Sequence, residues 1–359
     1  MLKDQLDAIQ QKAKERTVKT QTVEYDLETL VKKIKREIIR LNPDYQRNHR
    51  WPDSFSSKLI ESLILNIPIP IVYISQDIDV DDEAEDEIAR YSVIDGQQRL
   101  TAIYNFFNGS FPLQSLEVLS ELNGSFYKDL PPFLIRRLEE RTIRCLRIDS
   151  TVDTQVKFDI FERLNSGSVK LEAQELRNAT CRGPFKDMIK SLAKNSIFAE
   201  LANLDPESTR IKKMEDEELV LRFFAISHKN GHEQYRGQFK KFLTRKMVEF
   251  NQLNPTELKE MKDSFLRTMT LAKASFGSKP FAKYRKSEGD EFTMMSSFNA
   301  AVFDAVACAL SKPALKRIPK HERFIELFAD PVFFESVEGS VNDVSKLSVR
   351  IKKARELIN

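Results

Sequence analysis

The sequence predicts an α+β protein, with an α/β N-terminal domain to about residue 180 and an all-helical domain after it. Three observations carry that expectation. Short β-branched runs fall almost wholly within the first 150 residues. From about residue 171 onward apolar residues recur at helical spacing instead. The 359 residues are 41% hydrophobic and 31% charged, enough to bury substantial cores and too apolar for a disordered chain.

The elements follow in order. Leu2, Leu6, Ile9 and Ala13 lie at helical spacing, so residues 1–21 read as an amphipathic arm suited to covering a neighbour or pairing subunits. TVEYDL alternates like a strand, DLETLVKKIKR reads as a short helix, and EIIRLNPDYQR as a strand ending in a turn at Asn42-Pro43. SFSSKLIESLILN is a helix closed off by Pro68 and Pro70. Strands at 71–75 and 90–95 flank residues 77–87, which hold eight acids and no base and read as a solvated loop. Gly96 opens a helix through Leu100, Ile103, Tyr104 and Phe107. RTIRCLRID is a further strand, and VKFDIFERLN a helix stopped at Asn165-Ser166-Gly167. Beyond it come helical segments, among them one with Asn254 as N-cap and Pro255 at its first position.

Charge and composition exclude several classes. The net charge of +3 conceals the acidic loop: with its eight acids set aside the remainder carries +11. Cys145, Cys181 and Cys308 are scattered and odd in number, without a CxxC pair. His228 and His232 are four apart, but HKNGH lacks the glutamate of a metalloprotease helix, so no metal site is expected. No apolar run is long enough to span a bilayer and the charged N-terminus does not resemble a signal peptide, which points to a cytoplasmic protein with no membrane partner.

Three polar constellations stand out. In VIDGQQRLTAIYNFF a strand ends at Asp95, Gly96 permits a tight turn, and Gln97, Gln98 and Arg99 fall in the first turn of a helix, where free N–H groups and the positive dipole end favour an anion. Spacing alone equally fits a plain N-cap at Asp95 with solvated first-turn residues. LNPDYQRNHRW gathers Tyr45, Gln46, Arg47, His49, Arg50 and Trp51 in a loop, suited to a base or phosphate backbone or else to a turn with Trp51 plugging the core. FERLNSGSVKLEAQELRNA places Arg163, Asn165 and Gly167 at a helix end and Glu175, Arg177 and Asn178 on the next helix. In the second half, FGSKPFAKYRKS interleaves Phe276, Phe281 and Tyr284 with Lys279, Lys283, Arg285 and Lys286, a candidate DNA-backbone patch. FKKFLTRK adds Lys240, Lys241, Arg245 and Lys246.

Taken together and in this order, NPDYQRNHRW, LIESLILNIPIPIVYI, VIDGQQRLTAIYNFFNG and FERLNSGSVKLEAQELRNA resemble the N-terminal domain of GmrSD-type restriction systems, a ParB/sulfiredoxin-like family. The resemblance covers residues 22–180, with residues 181–359 as a helical domain. It implies defence against foreign DNA by a protein that binds or hydrolyses a nucleoside triphosphate, for which Mg²⁺ is the expected cofactor. Asp95, Gln98 and Arg99 would then be catalytic, and Gly96, Gln97, Arg163, Asn165 and Gly167 would hold the nucleotide. Tyr45, Gln46 and Arg47 would sense modified DNA. The alternative is a non-catalytic DNA-binding or assembly module on the same fold. After residue 180 only His228, His232 and His321 occur as histidines, none spaced as in a His-Asn-His nuclease, so any cleavage is expected from a partner protein or from a site without a recognised motif.

Overall fold

The computed structural model describes residues 18–41, 51–76, 91–149, 152, 154–164, 172–287, 291–312 and 320–356. The acidic loop and most of the N-terminal arm lie outside these residues. The chain divides into two compact units, residues 1–171 and 172–359.

The first unit is built on a mixed five-stranded sheet. Its strands are β1 (Thr20–Asp26), β2 (Ile39–Arg40), β3 (Val72–Gln76), β4 (Tyr91–Asp95) and β5 (Thr142–Ile148), in the order β1-β5-β3-β4-β2. β5 runs antiparallel to β1 and parallel to β3, while β4 runs antiparallel to β3 and parallel to β2. Five helices accompany it: α1 (Leu27–Lys35), α2 (Asp53–Ile64), α3 (Gln97–Phe107), α4 (Pro132–Glu139) and α5 (Thr154–Leu164). Asp26 caps α1 by accepting the Thr29 N–H at 2.6 Å, and Leu27, Leu30 and Ile34 give the helix one buried stripe. Leu27, Ile60, Val72, Ile74, Leu100, Ile103, Phe106 and Ile143 share one core with them.

The strand expected over EIIRLNPDYQR shrinks among the described residues to Ile39–Arg40. The helix stop consumes what precedes it: Glu37 takes φ +58°, its N–H donates to the Ile34 carbonyl, and the Ile38 N–H reaches back to Lys33. The same double bond closes α2, where Asn66 (φ +63°) donates to Leu63 and Ile67 to Ser62.

Residues 108–131, between α3 and α4, hold no regular structure beyond the one-turn segments Ser120–Leu122 and Tyr127–Asp129. They are nevertheless pinned. The buried carboxylate of Glu61 on α2 accepts the N–H groups of Glu117, Val118 and Leu119, at 3.3, 2.8 and 2.8 Å. Ser57 Oγ accepts the Gln114 N–H at 3.0 Å, and Asn123 Oδ1 accepts that of Leu116 at 3.1 Å.

The second unit comprises α6 (Ala173–Thr180), α7 (Pro184–Ala193), α8 (Ser196–Leu201), α9 (Thr209–Lys212), α10 (Glu215–Ser227), α11 (Phe239–Asn251) and α12 (Pro255–Phe276). After the hairpin β6 (Lys283–Lys286) and β7 (Phe292–Ser296) come α13 (Ala300–Leu310), α14 (His321–Glu326), α15 (Pro331–Ser336) and α16 (Val344–Glu356). Asn254 caps α12, with Glu257 completing the capping box. The hairpin interrupts the all-helical domain that the sequence predicts, and from it Tyr284 sets its ring edge-on against Phe324 and Phe328. Phe198, Phe223, Phe224, Phe265 and Phe303 pack in the core, and α13 is buried over Ala301–Leu310.

One charged cluster lies inside that core. Asp304 on α13 accepts Arg222 Nε at 3.0 Å and Nη2 at 2.6 Å from α10, and Arg350 Nη2 at 2.7 Å from α16. Arg350 also donates to the carbonyls of Ser336 and Val341. One carboxylate thus holds two buried guanidiniums and ties three helices together.

Asp304→Ala is expected to destabilise the second unit by about 3–5 kcal/mol, because it leaves two buried cations uncompensated. Glu24→Ala, which removes an exposed partner of Arg144, should cost less than about 1 kcal/mol; urea denaturation midpoints compare the two. A second expectation concerns pH. Burial opposes ionisation of Glu61, but the three N–H donors prevail and hold its pKa below the ordinary carboxylate value. A depressed folded pKa gives stability that is present above the unfolded value and lost as pH falls through the folded one. Unfolding curves for the first unit should therefore be level near neutrality and fall below about pH 4. Glu61→Gln should flatten that acid limb.

Candidate functional site

The sheet delivers Asp95 to the C-terminal end of β4, and the chain turns at once into α3. Gly96 makes that turn with φ +96° and ψ 8°, a left-handed conformation that residues with a Cβ rarely adopt. A second constraint acts at the same place: a Cβ on Gly96 would lie 2.9 Å from Val72 Cγ2 and 3.2 Å from Arg99 Nη2. The helix cap position thus falls to Gly96 rather than to Asp95, and a glycine has no side chain to offer the first-turn N–H groups.

Arg99, one turn into α3, folds back instead of pointing outward. Its guanidinium donates to the carbonyls of Pro70 and, at 3.3 Å, Ile71, where the chain enters β3. Nη2 also donates to Asp95 Oδ2 at 3.0 Å. The Arg99 side chain is 12% exposed and that of Asp95 45%, so the pair has a buried cation and an accessible carboxylate. Burial pulls the Arg99 pKa below its ordinary value while the Asp95 carboxylate opposes the change; the group stays protonated at neutral pH. Behind it on β5, burial pushes the Cys145 thiol up to about 11, with Arg99 pulling the other way. Gln98 Oε1 accepts the Trp51 N–H at 3.3 Å, and Trp51 packs against the core as the structural reading of its loop expected.

The other expected site residues fall in different places. Arg163 is exposed in the last turn of α5. Tyr45, Gln46, Arg47, Asn165 and Gly167 lie outside the described residues. Arg177 and Asn178 are buried in the second unit, where Arg177 Nη1 donates to Glu218 at 2.9 Å and Asn178 Nδ2 to Glu217 at 2.6 Å. Glu175 closes the capping box of α6 by accepting the Glu172 N–H at 2.7 Å.

The aromatic–basic patch of the second unit separates into two parts. Phe276, Phe281 and Tyr284 are core residues, and Lys283 is buried, its Nζ 2.7 Å from Glu338 Oε1 and over the Phe334 ring. Lys279, Arg285 and Lys286 remain exposed, and Arg285 shares Glu338 and the Phe334 ring with Lys283. His232 is buried with Nδ1 3.2 Å from the Ile226 carbonyl, and the His228 ring sits edge-on to Phe250. Among the described residues no group of three or more His, Cys, Asp or Glu side chains gathers around a metal position. The Asp95 turn therefore offers one carboxylate, a donor set that fits Mg²⁺ carried in on phosphate oxygens and water.

Gly96→Ala is expected to destabilise the first unit by about 1–3 kcal/mol through backbone strain, with the Val72 contact adding to it. Gly109→Ala is the control: its φ is +69°, but nothing lies within 4 Å of the added Cβ. The smaller loss expected there, measured by the same urea melts, isolates the contribution of the contact.

Comparison with known proteins agrees with the resemblance seen in the sequence. None of the curated proteins matches the chain. The family model described as "GmrSD restriction endonuclease, N-terminal domain" matches residues 27–181, which span strands β2 to β5, the Asp95–Arg99 turn and α6 but not β1. No helix among the described residues is long and apolar enough to cross a membrane. Residues 27–181 of this chain are thus similar to the N-terminal domain of GmrSD restriction endonucleases.

Proposed function

We propose that the protein acts in a restriction system directed at foreign DNA and binds a nucleoside triphosphate at the Asp95–Arg99 turn. The observation that carries this reading is the pairing of Gly96 with the start of α3. A residue without a Cβ, pressed against Val72, brings the backbone of a helix N-terminus to the end of the sheet beside a half-exposed carboxylate. Such an N-terminus attracts phosphate through its N–H groups and dipole. Asp95 would hold a water or phosphate-borne Mg²⁺, which neutralises phosphate charge when bound. Gln97 and Gln98 would contact the nucleotide. Arg99 takes the part of a positioning residue: its donors go to Asp95, Pro70 and Ile71, so it orients the carboxylate and braces the turn.

That commitment of Arg99 also favours a second reading, in which the domain binds nucleotide or DNA without turnover. A guanidinium bonded inward does not neutralise charge developing on a transferred phosphoryl group. A partner protein would then supply cleavage.

Calorimetric titration of the full chain with each nucleoside triphosphate, with and without Mg²⁺ and DNA, tests both. The expected result is Mg²⁺-dependent binding that Asp95→Asn weakens by about tenfold or more, in keeping with loss of a charged contact. Equal affinity in wild type and Asp95→Asn would remove the turn from the proposal. Phosphate release measured on the same samples separates hydrolysis from binding alone.

A further inference from the structure

The far end of α3 carries a second feature. A cleft of about 460 Å³ is lined by Phe107, Asn108, Gly109, Phe126, Tyr127 and Lys128, within the size range of small-molecule sites. Eleven residues of helix, roughly 16 Å by the helical rise, separate it from the Asp95 turn.

The cleft is built rather than incidental. Phe126, Tyr127 and Lys128 come from residues 108–131, a long irregular connection of the kind that in compact domains usually carries function. Glu61, Ser57 and Asn123 fix its course. Leu113 and Gly124 bond across it, the Leu113 N–H to Ser125 at 2.9 Å and the Gly124 N–H to Leu113 at 2.7 Å. Tyr127 is held at both ends: its hydroxyl donates to Glu139 Oε1 at 2.7 Å, and its ring meets Phe106 edge-on. Phe107 stacks on Tyr127 with centroids 4.7 Å apart. Phe107, Phe126 and Tyr127 all remain only half-buried. Well-fixed aromatic rings around open space are a stacking platform.

The polar members narrow the ligand. Lys128 is exposed at the rim and brings an ammonium group. Asn108 donates one Nδ2 hydrogen to the Tyr104 carbonyl, 2.7 Å away, which leaves its other N–H and its side-chain oxygen for a ligand. No carboxylate lines the cleft. Flat apolar rings, one amide and one cation match a planar heterocycle with a hydrogen-bonding edge that is attached to an anion. We propose that this cleft binds a nucleobase carried on phosphate, presented by a single strand of nucleic acid or by a free nucleotide. The cleft and the Asp95 turn are separate sites, so this inference stands without the nucleotide reading of the turn.

Fluorescence anisotropy of the full chain with a labelled single-stranded oligothymidylate tests it, with thymidine monophosphate as competitor. Phe126→Ala should weaken binding by about tenfold, the loss expected for one stacked base. Lys128→Glu should weaken it too and reduce its salt dependence. Circular dichroism melts of both variants should match wild type. Competition by the mononucleotide at concentrations equal to the strand assigns a free nucleotide, and a large excess requirement assigns a strand; either supports the proposal. Absence of binding by both probes, affinities indifferent to both cleft variants, or occupation by a proline-rich peptide in place of either probe would overturn it.

Discussion

A guanidinium removed from water must find its acceptors inside the protein, and Arg99 finds them on both sides of one turn. The carbonyls of Pro70 and Ile71 belong to the chain entering β3, and the carboxylate of Asp95 to the chain leaving β4. These two strands are antiparallel neighbours, so a single cation closes the end of the pair from which α3 departs. With the clamp in place Gly96 can sit against Val72 and Asp95 keeps its accessible face. Without it three polar groups would lose their shared partner.

The helical unit is organised by the complementary arrangement, one anion among cations. Asp304 joins α10, α13 and α16, helices that are far apart in sequence and share no loop. Such a cluster is weak evidence for net stability, since well-packed apolar groups could stabilise the same contact at least as well. Its effect is to make alternative packings of these helices expensive, because any slip leaves charge unpaired in the core. The aromatic rings around it pack tightly but without that strict directionality.

Much of the fold could be read from local pattern. In VIDGQQRL a period-2 run, a glycine and a 3.6-period stripe meet within a few residues, and β4, the Gly96 turn and α3 follow as expected. What local pattern does not contain is the partner. Arg99 reads equally well as a solvated first-turn residue, since the carbonyls that draw it inward lie some thirty residues earlier in the chain. The burial of Arg177 and Asn178 is not legible locally for the same reason, their partners Glu218 and Glu217 lying on a later helix. In KPFAKYRKS interleaved aromatic and basic residues suggested a binding surface, but the first two residues of the strand, Lys283 and Tyr284, are both buried and only Arg285 and Lys286 face outward. The connection after α3 had no periodicity to read, because its shape comes from single acceptors such as Glu61 rather than from a repeat.

The family match and the compact units disagree about one helix. By sequence α6 closes the matched domain, which runs to residue 181, yet by packing it belongs to the unit that begins at Glu172. Its buried face is polar: Gln174 and Asn178 bond to each other, and Arg177 reaches Thr244 and the Lys240 carbonyl as well as Glu218. A recombination point placed at the end of the family match would therefore carry away a helix whose inward side is a set of unmet donors and acceptors. The exchangeable piece of this chain is shorter than its recognisable piece, and any chimera that respects homology alone would inherit a misfit of charge where it appears to have inherited a whole domain.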